Sequence, residues 1–137
     1  MTRSRLIVVA LLLTTASCAT RKYMLSRPLD NGVKAVYAAP FDKVKRAAYD
    51  ALADLNYGVK DEVWDSRDPS AFVVNSSQGL STGSTGKYAR IVILKSDKDQ
   101  TVYVLVESKA ATRSSAAADE DDAKSIQSRI EKRVTAK

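Results

Sequence analysis

The chain has 137 residues, one cysteine, no histidine and 22 basic against 16 acidic side chains, for a formal net charge of +6. That length holds one domain and is short for two. The missing imidazole removes the commonest general base, the Ser-His and Cys-His nucleophile pairs and the commonest zinc ligand. Catalysis would have to rest on carboxylate, lysine, tyrosine or serine–lysine groups, so the composition points away from an enzyme and from any metal or cofactor.

The first element is an export signal. Arg3 and Arg5 precede an unbroken apolar run from Leu6 to Leu13, and the small residues Thr14, Thr15, Ala16 and Ser17 follow. This is the layout of a secretory signal peptide. The apolar run rises only about 12 Å as a helix, against the roughly 20 residues that a spanning helix requires. Thr15-Ala16-Ser17-Cys18 resembles the lipobox of bacterial lipoproteins, matching it at Ala16 and Ser17 and less closely at Thr15. The resemblance implies a signal peptide over residues 1–17, cleavage before Cys18, a thioether from the Cys18 thiol to diacylglycerol, and acyl chains such as palmitate on the new amino terminus. Two or more chains give stable anchoring where one does not. Ala19, rather than aspartate, follows Cys18, which resembles the outer-membrane sorting pattern of enteric lipoproteins. The expected location is therefore the outer membrane, facing the periplasm. The expected partners are the membrane, through lipid on Cys18, and an envelope protein; the export signal excludes nucleic acid. Cys18 is the one site residue expected, and with no second cysteine the exported domain has no disulfide to form.

Cleavage before Cys18 leaves residues 18–137, with all the acidic side chains and all the basic ones except Arg3 and Arg5. The remaining basic residues are scattered, as on a solvated surface. Residues 18–32 mix polar side chains, a proline and an Asn-Gly pair without periodicity and read as the lipidated N-terminus and tether. Residues 33–137 read as a single α+β periplasmic domain. "VKAVY" (33–37) alternates as a short strand. In "PFDKVKRAAYDALADLNYG", Phe41, Val44, Ala48, Leu52 and Leu55 form one apolar helical stripe; Pro40 suits the first turn, and Asn56 with Gly58 stops the helix. Four strands follow, near 57–65, 71–77, 87–96 and 101–108, the last two as a hairpin about "DKDQ". "IVIL" against "VYVLV" marks the sheet centre, because both faces carry large apolar groups. "AATRSSAAA" (110–118) reads as a loop. "DEDDAKSIQSRIEKRV" (119–134) reads as a helix with acids at its start, Lys132 and Arg133 at its end, and an apolar stripe of Ala123, Ile126, Ile130 and Val134. The expected architecture is an antiparallel sheet of about five strands with two helices packed on one face, in the order β-α-β-β-β-β-α.

Two motifs invite a chemical reading. "GLSTGSTGK" (79–87) has Gly86-Lys87, yet Ser81 stands where a phosphate loop needs its first glycine, Tyr88 stands where it needs Ser or Thr, and a strand follows instead of a helix. The segment reads as a strand connection suited to partner contact. "DEDD" (119–122) lacks the spacing of a calcium loop and reads as a solvated helix start. Asp61, Glu62, Asp65 and Asp68 lie around an exposed strand and turn, where nothing desolvates one of them for acid–base work. Trp64, Tyr57, Tyr88 and Tyr103 are expected in the core, or on the face of the sheet that the helices leave open, where they would form a binding surface.

"VYAAPFDKVKRAAYDALADLNYGV", "TVYVLVES" and the closing amphipathic helix together resemble a group of small bacterial lipoproteins of uncharacterised function. The element order is similar to the helix-grip domain of an outer-membrane assembly lipoprotein. The resemblance covers roughly residues 33–134 and rests mostly on core positions. It implies a lipid-anchored envelope protein with a non-catalytic accessory domain that binds protein, or alternatively one that binds an envelope glycan or lipid on its open sheet face.

Overall fold

The computed structural model describes residues 27–79, 86–108 and 116–136. Strand β1 (Val33–Tyr37) leads into helix α1 (Phe41–Asp54). Strands β2 (Gly58–Trp64), β3 (Ala71–Gln78), β4 (Lys87–Leu94) and β5 (Gln100–Ser108) follow, and helix α2 (Ala116–Thr135) closes the chain. The fold is the α+β arrangement that the sequence implies: one five-stranded antiparallel sheet ordered β1-β5-β4-β3-β2. β4, which carries "IVIL", is the central strand, with β5 and β3 beside it.

The two helices cover one face. α1 and α2 pack on each other, and α2 lies over β5 and β1. The core between helices and sheet is built from Val44, Ala48, Ala51 and Leu52 of α1 and Ala123, Ile126 and Ile130 of α2. Val74, Ile91, Ile93, Val102 and Val104 meet them from the sheet. α1 ends as its sequence requires. Asn56 takes the left-handed conformation (φ 63°), Tyr57 N–H donates to Leu52 C=O at 2.9 Å, and Asn56 N–H donates to Ala53 C=O at 3.1 Å. This pair of bonds is a Schellman motif, and it satisfies carbonyls that a helix end otherwise leaves open. On the outer surface Arg133 reaches from α2 to Asp54 of α1 at 2.7 Å, which holds the Asp54 carboxyl below its usual range.

A buried polar network fastens α2 to the sheet edge. Tyr37 O–H donates to Oε1 of Gln127 at 2.6 Å, and the Gln127 amide donates to the carbonyls of Val33 at 2.8 Å and Val102 at 2.9 Å. Sequence periodicity identifies Ile126 and Ile130 but passes over Gln127, which lies between them in the helix and is equally enclosed.

The second face of the sheet is not bare. Ala71, Val73 and Val92 form a smaller apolar cluster there, and Leu29, Leu94 and Tyr103 pack against it. Arg90 is 1% exposed. Its guanidinium donates to the carbonyls of Arg27 at 3.1 Å and Pro28 at 2.7 Å. Arg67 also donates to the Arg27 carbonyl, at 3.0 Å, and Arg27 pairs with Glu107 of β5. Residues 27–32, which the sequence places with the tether, are thus fastened across the sheet. Gly32 makes the turn into β1 with φ 116°, and a Cβ there would collide with the Val104 carbonyl. Only glycine fits both constraints.

Candidate functional site

Three of the four large apolar side chains exposed among the described residues lie on one edge strand. Val59, Val63 and Trp64 of β2 are 40%, 47% and 45% exposed. β2 borders only β3, and the helices that cover the other strands scarcely reach it. A bulge between Val59 and Asp61 interrupts its register with β3. A bulge with adjacent charges, here Lys60, Asp61 and Glu62, is a common guard against unwanted strand addition. The strand therefore offers side chains rather than a free ladder.

At the end of β2 the rings of Phe41, Trp64 and Phe72 form a corner. Phe41 comes from the first turn of α1, and Trp64 and Phe72 are opposed across the β2–β3 ladder. Phe41 stacks on Trp64 with centroids 5.5 Å apart and planes at 26°; Trp64 and Phe72 meet edge-on at 5.1 Å, and Phe41 and Phe72 at 5.7 Å. Two lysines lie over the ring faces. Lys45 Nζ stands 4.6 Å from the Phe72 centroid, and Lys95 Nζ stands 5.3 Å from Phe41 and 5.9 Å from Trp64. Ring quadrupoles attract such cations. The corner is rigid, apolar at its centre and cationic at its rim.

Trp64 therefore lies elsewhere than either expectation. It is neither in the core nor on the open face, but on the helix-side face of an edge strand, half-covered by Phe41 from the start of α1. Tyr57 is buried, and burial pushes its hydroxyl up to about 12. Tyr88 and Tyr103 lie on the open face by register, both half-buried, and Tyr103 packs against the Leu29 cluster. Residues 27–32 roof the centre of that face.

The phosphate-loop residue and the acidic run are brought together. Lys87 opens β4, and its ammonium pairs with both Asp119, at 3.3 Å, and Asp122. Burial works to lower the Lys87 pKa, but the hydrogen bonds that it donates to Asp122 and Asp119 outweigh it and hold the group above its usual value. Asp119 also accepts from the Ser108 amide at 3.0 Å and its hydroxyl at 2.7 Å, tying the end of β5 to the first turn of α2. The expectation of a wholly solvated acidic run is corrected here. Glu120 and Asp121 are exposed, whereas Asp119 is buried because Lys87 and Ser108 supply its partners. A lysine paired with two carboxylates has its charge already balanced, which disfavours an added phosphate.

Of the other carboxylates singled out in the sequence, Asp61, Asp65 and Asp68 are engaged. Asp61 accepts from Asn75 at 2.8 Å. Asp65 is held below its usual range by hydrogen bonds from Arg67, and Asp68 by those from Ser70. Neither is raised, as an acid catalyst's would be. Among the described residues no three metal-ligating side chains gather, and no helix is long and apolar enough to cross a membrane. Cys18, the signal segment 1–17 and residues 80–85 of the 79–87 connection lie outside the described residues.

Two open grooves flank α2. One, of about 460 Å³, runs between the helices past Asp54, Arg129 and Arg133; the other, of about 600 Å³, runs between α2 and β1. Trp64 lines neither. Comparison with known proteins adds no relative: no family model matches the chain, and no curated protein matches it.

Proposed function

We propose that the chain is a lipid-anchored protein of the bacterial cell envelope, held in the outer membrane by acyl chains on Cys18, whose periplasmic domain works by binding another envelope protein and catalyses nothing. The anchor half rests on Arg3 and Arg5, the apolar run and the lipobox-like Thr15-Ala16-Ser17-Cys18. The observation that carries the binding half is the half-exposed Trp64 at the end of edge strand β2, stacked on Phe41 beside Phe72 and rimmed by Lys45 and Lys95. Tryptophan is a residue type that dominates binding energy at protein contacts.

Geometry supports the pairing of anchor and domain. Only residues 19–26 separate Cys18 from Arg27, and that length spans at most about 30 Å. Arg27 is itself fixed to the sheet through Arg67, Arg90 and Glu107. The domain is accordingly held close to the bilayer, within reach of other anchored proteins. The roof of residues 27–32 weighs against the alternative of a glycan or lipid on the open face.

Site-specific photocrosslinking in intact envelopes tests the binding half. A crosslinker at Val63 should yield a discrete adduct that Trp64→Ala diminishes, while one at Lys132, on the far helix, should not. Equal adducts at both positions, or none at Val63, would contradict it.

A further inference from the structure

The second edge of the sheet is built differently from the first. β1 borders only β5, carries no bulge in its register, and exposes Val36 by 55%, more than any other large apolar side chain described. Outside it runs the groove of about 600 Å³, floored by Val33, Ala35 and Tyr37 and walled by Lys124, Gln127, Ser128 and Glu131 of α2. Residues 27–32 do not cover this edge, because Gly32 turns inward against Val104 and the segment before it crosses the sheet to Arg90.

We propose that β1 is a self-association edge, occupied by β1 of a second copy of this chain in antiparallel register about Ala35. Three observations converge on that occupant, and none depends on the lipid anchor.

The first is spacing. α2 lies over β5 and β1, with more of its contact on β5. Strands in a continued sheet are about 4.8 Å apart, so a second copy would place its own α2 roughly 10–14 Å from the first. Long side chains such as Lys124 and Glu131 span that separation, and the groove would lie between the two helices.

The second is charge. A two-fold interface must be self-complementary. Gln127 bonds to Val33 and Tyr37 at the two ends of β1, so a two-fold axis through Ala35 passes close to Gln127 and Ser128. Lys124 and Glu131 lie on the same exposed helix flank, either side of that axis. The axis therefore sets Lys124 against Glu131 of the second copy, and Glu131 against its Lys124. On its own helix Lys124 pairs with Glu120, at 3.0 Å with both side chains about 60% exposed, a pair weak enough to rearrange.

The third is the fit of the strand itself. Ala35, at the axis, is small enough to face its own copy. Lys34 and Val36 share the opposite face, so each exposed Val36 falls against the methylene stem of Lys34 from the second copy, which covers it while the ammonium stays in water.

The test is molar mass of the full-length chain in detergent, by light scattering across a concentration series, for the parent, Lys124→Glu, Glu131→Lys and the double charge exchange. The positions are exposed, and circular dichroism checks that each variant is folded. The parent should be a dimer. Each single exchange sets like charges together at two symmetry-related places and should raise the dissociation constant about tenfold or more; the double exchange should restore it. A parent that is monomeric at every concentration, a dimer that the single exchanges leave intact, or a loss that the double exchange does not reverse would each overturn the proposal.

Discussion

The Arg90 guanidinium donates to the Pro28 carbonyl at 2.7 Å from the middle of the central strand, on the face away from both helices. Burial works against the charge and lowers its pKa, and the backbone carbonyls of Arg27 and Pro28 supply acceptors in place of water. The same side chain that fills the centre of this face thus fixes the last few residues of the tether.

Arg90→Ala should therefore do two things at once. It leaves two carbonyls and a cavity under Leu29, at a cost of about 2–4 kcal/mol, and it frees residues 27–32. Chemical denaturation checks the first effect. Chymotryptic cleavage after Leu29 under native conditions checks the second, and should be faster in the variant while cleavage within α1 is not.

Gln127→Leu removes the side-chain bonds that join α2 to β1 and β5, leaving the carbonyls of Val33 and Val102 without the amide that they share, while the Tyr37 hydroxyl keeps the backbone carbonyl of residue 127 at 3.1 Å. A loss of about 2–4 kcal/mol is expected. Tyr37→Phe should cost less, about 1 kcal/mol, because Gln127 keeps both carbonyl acceptors. The order of the two midpoints in urea is the check.

Leu52→Asp places a carboxylate in the α1 stripe, where Leu52 is fully buried, and should unfold the domain at a cost of roughly 3–5 kcal/mol. Trp64→Ala, on the exposed edge, should cost far less and leave the circular dichroism spectrum unchanged. A variant at Leu52 that melts with the parent would contradict the packing described above.

Two tyrosines predict an alkaline limit. The Tyr37 and Tyr57 hydroxyls are both pushed up to about 12, first by burial and then by neighbouring charge from Glu131 and Asp122 respectively. In the unfolded chain they ionise near 10. The folded state holds its phenolic protons more tightly, so the stability linked to them is complete below pH 10 and is lost as pH rises from 10 towards 12. Lys87, with its pKa raised by Asp122 and Asp119, acts in the same direction, because its ion pairs also fade above its unfolded value. The melting temperature should fall over that window, and tyrosinate absorbance should rise together with unfolding.

The order of elements was legible because it rests on local periodicity. The α1 stripe, the alternation in β1 and the doubly apolar runs of β4 and β5 each declare themselves within a few residues. What escaped the sequence is polar and long-range. Gln127 meets Tyr37 across 90 positions, and Lys87 meets Asp122 across 35; no spacing rule links such pairs. Arg90 sits in an alternating strand where a charged residue ordinarily marks the solvated side, and only the carbonyls brought over it by residues 27–32 make its burial tolerable. Trp64 was visible as a candidate, but its exposure depends on how far α1 and α2 extend over β2, which is a property of the packed layers.

The proposed function stands or falls on Cys18 as the acylated amino terminus. Mass spectrometry of the protein purified from envelopes tests it most directly. The expected result is a chain beginning at Cys18 with a diacylglyceryl thioether and an acyl group on its amine, and a Cys18→Ser variant that carries no lipid and stays unprocessed. A chain that begins at another residue, or one whose Cys18 bears a free thiol, would contradict it.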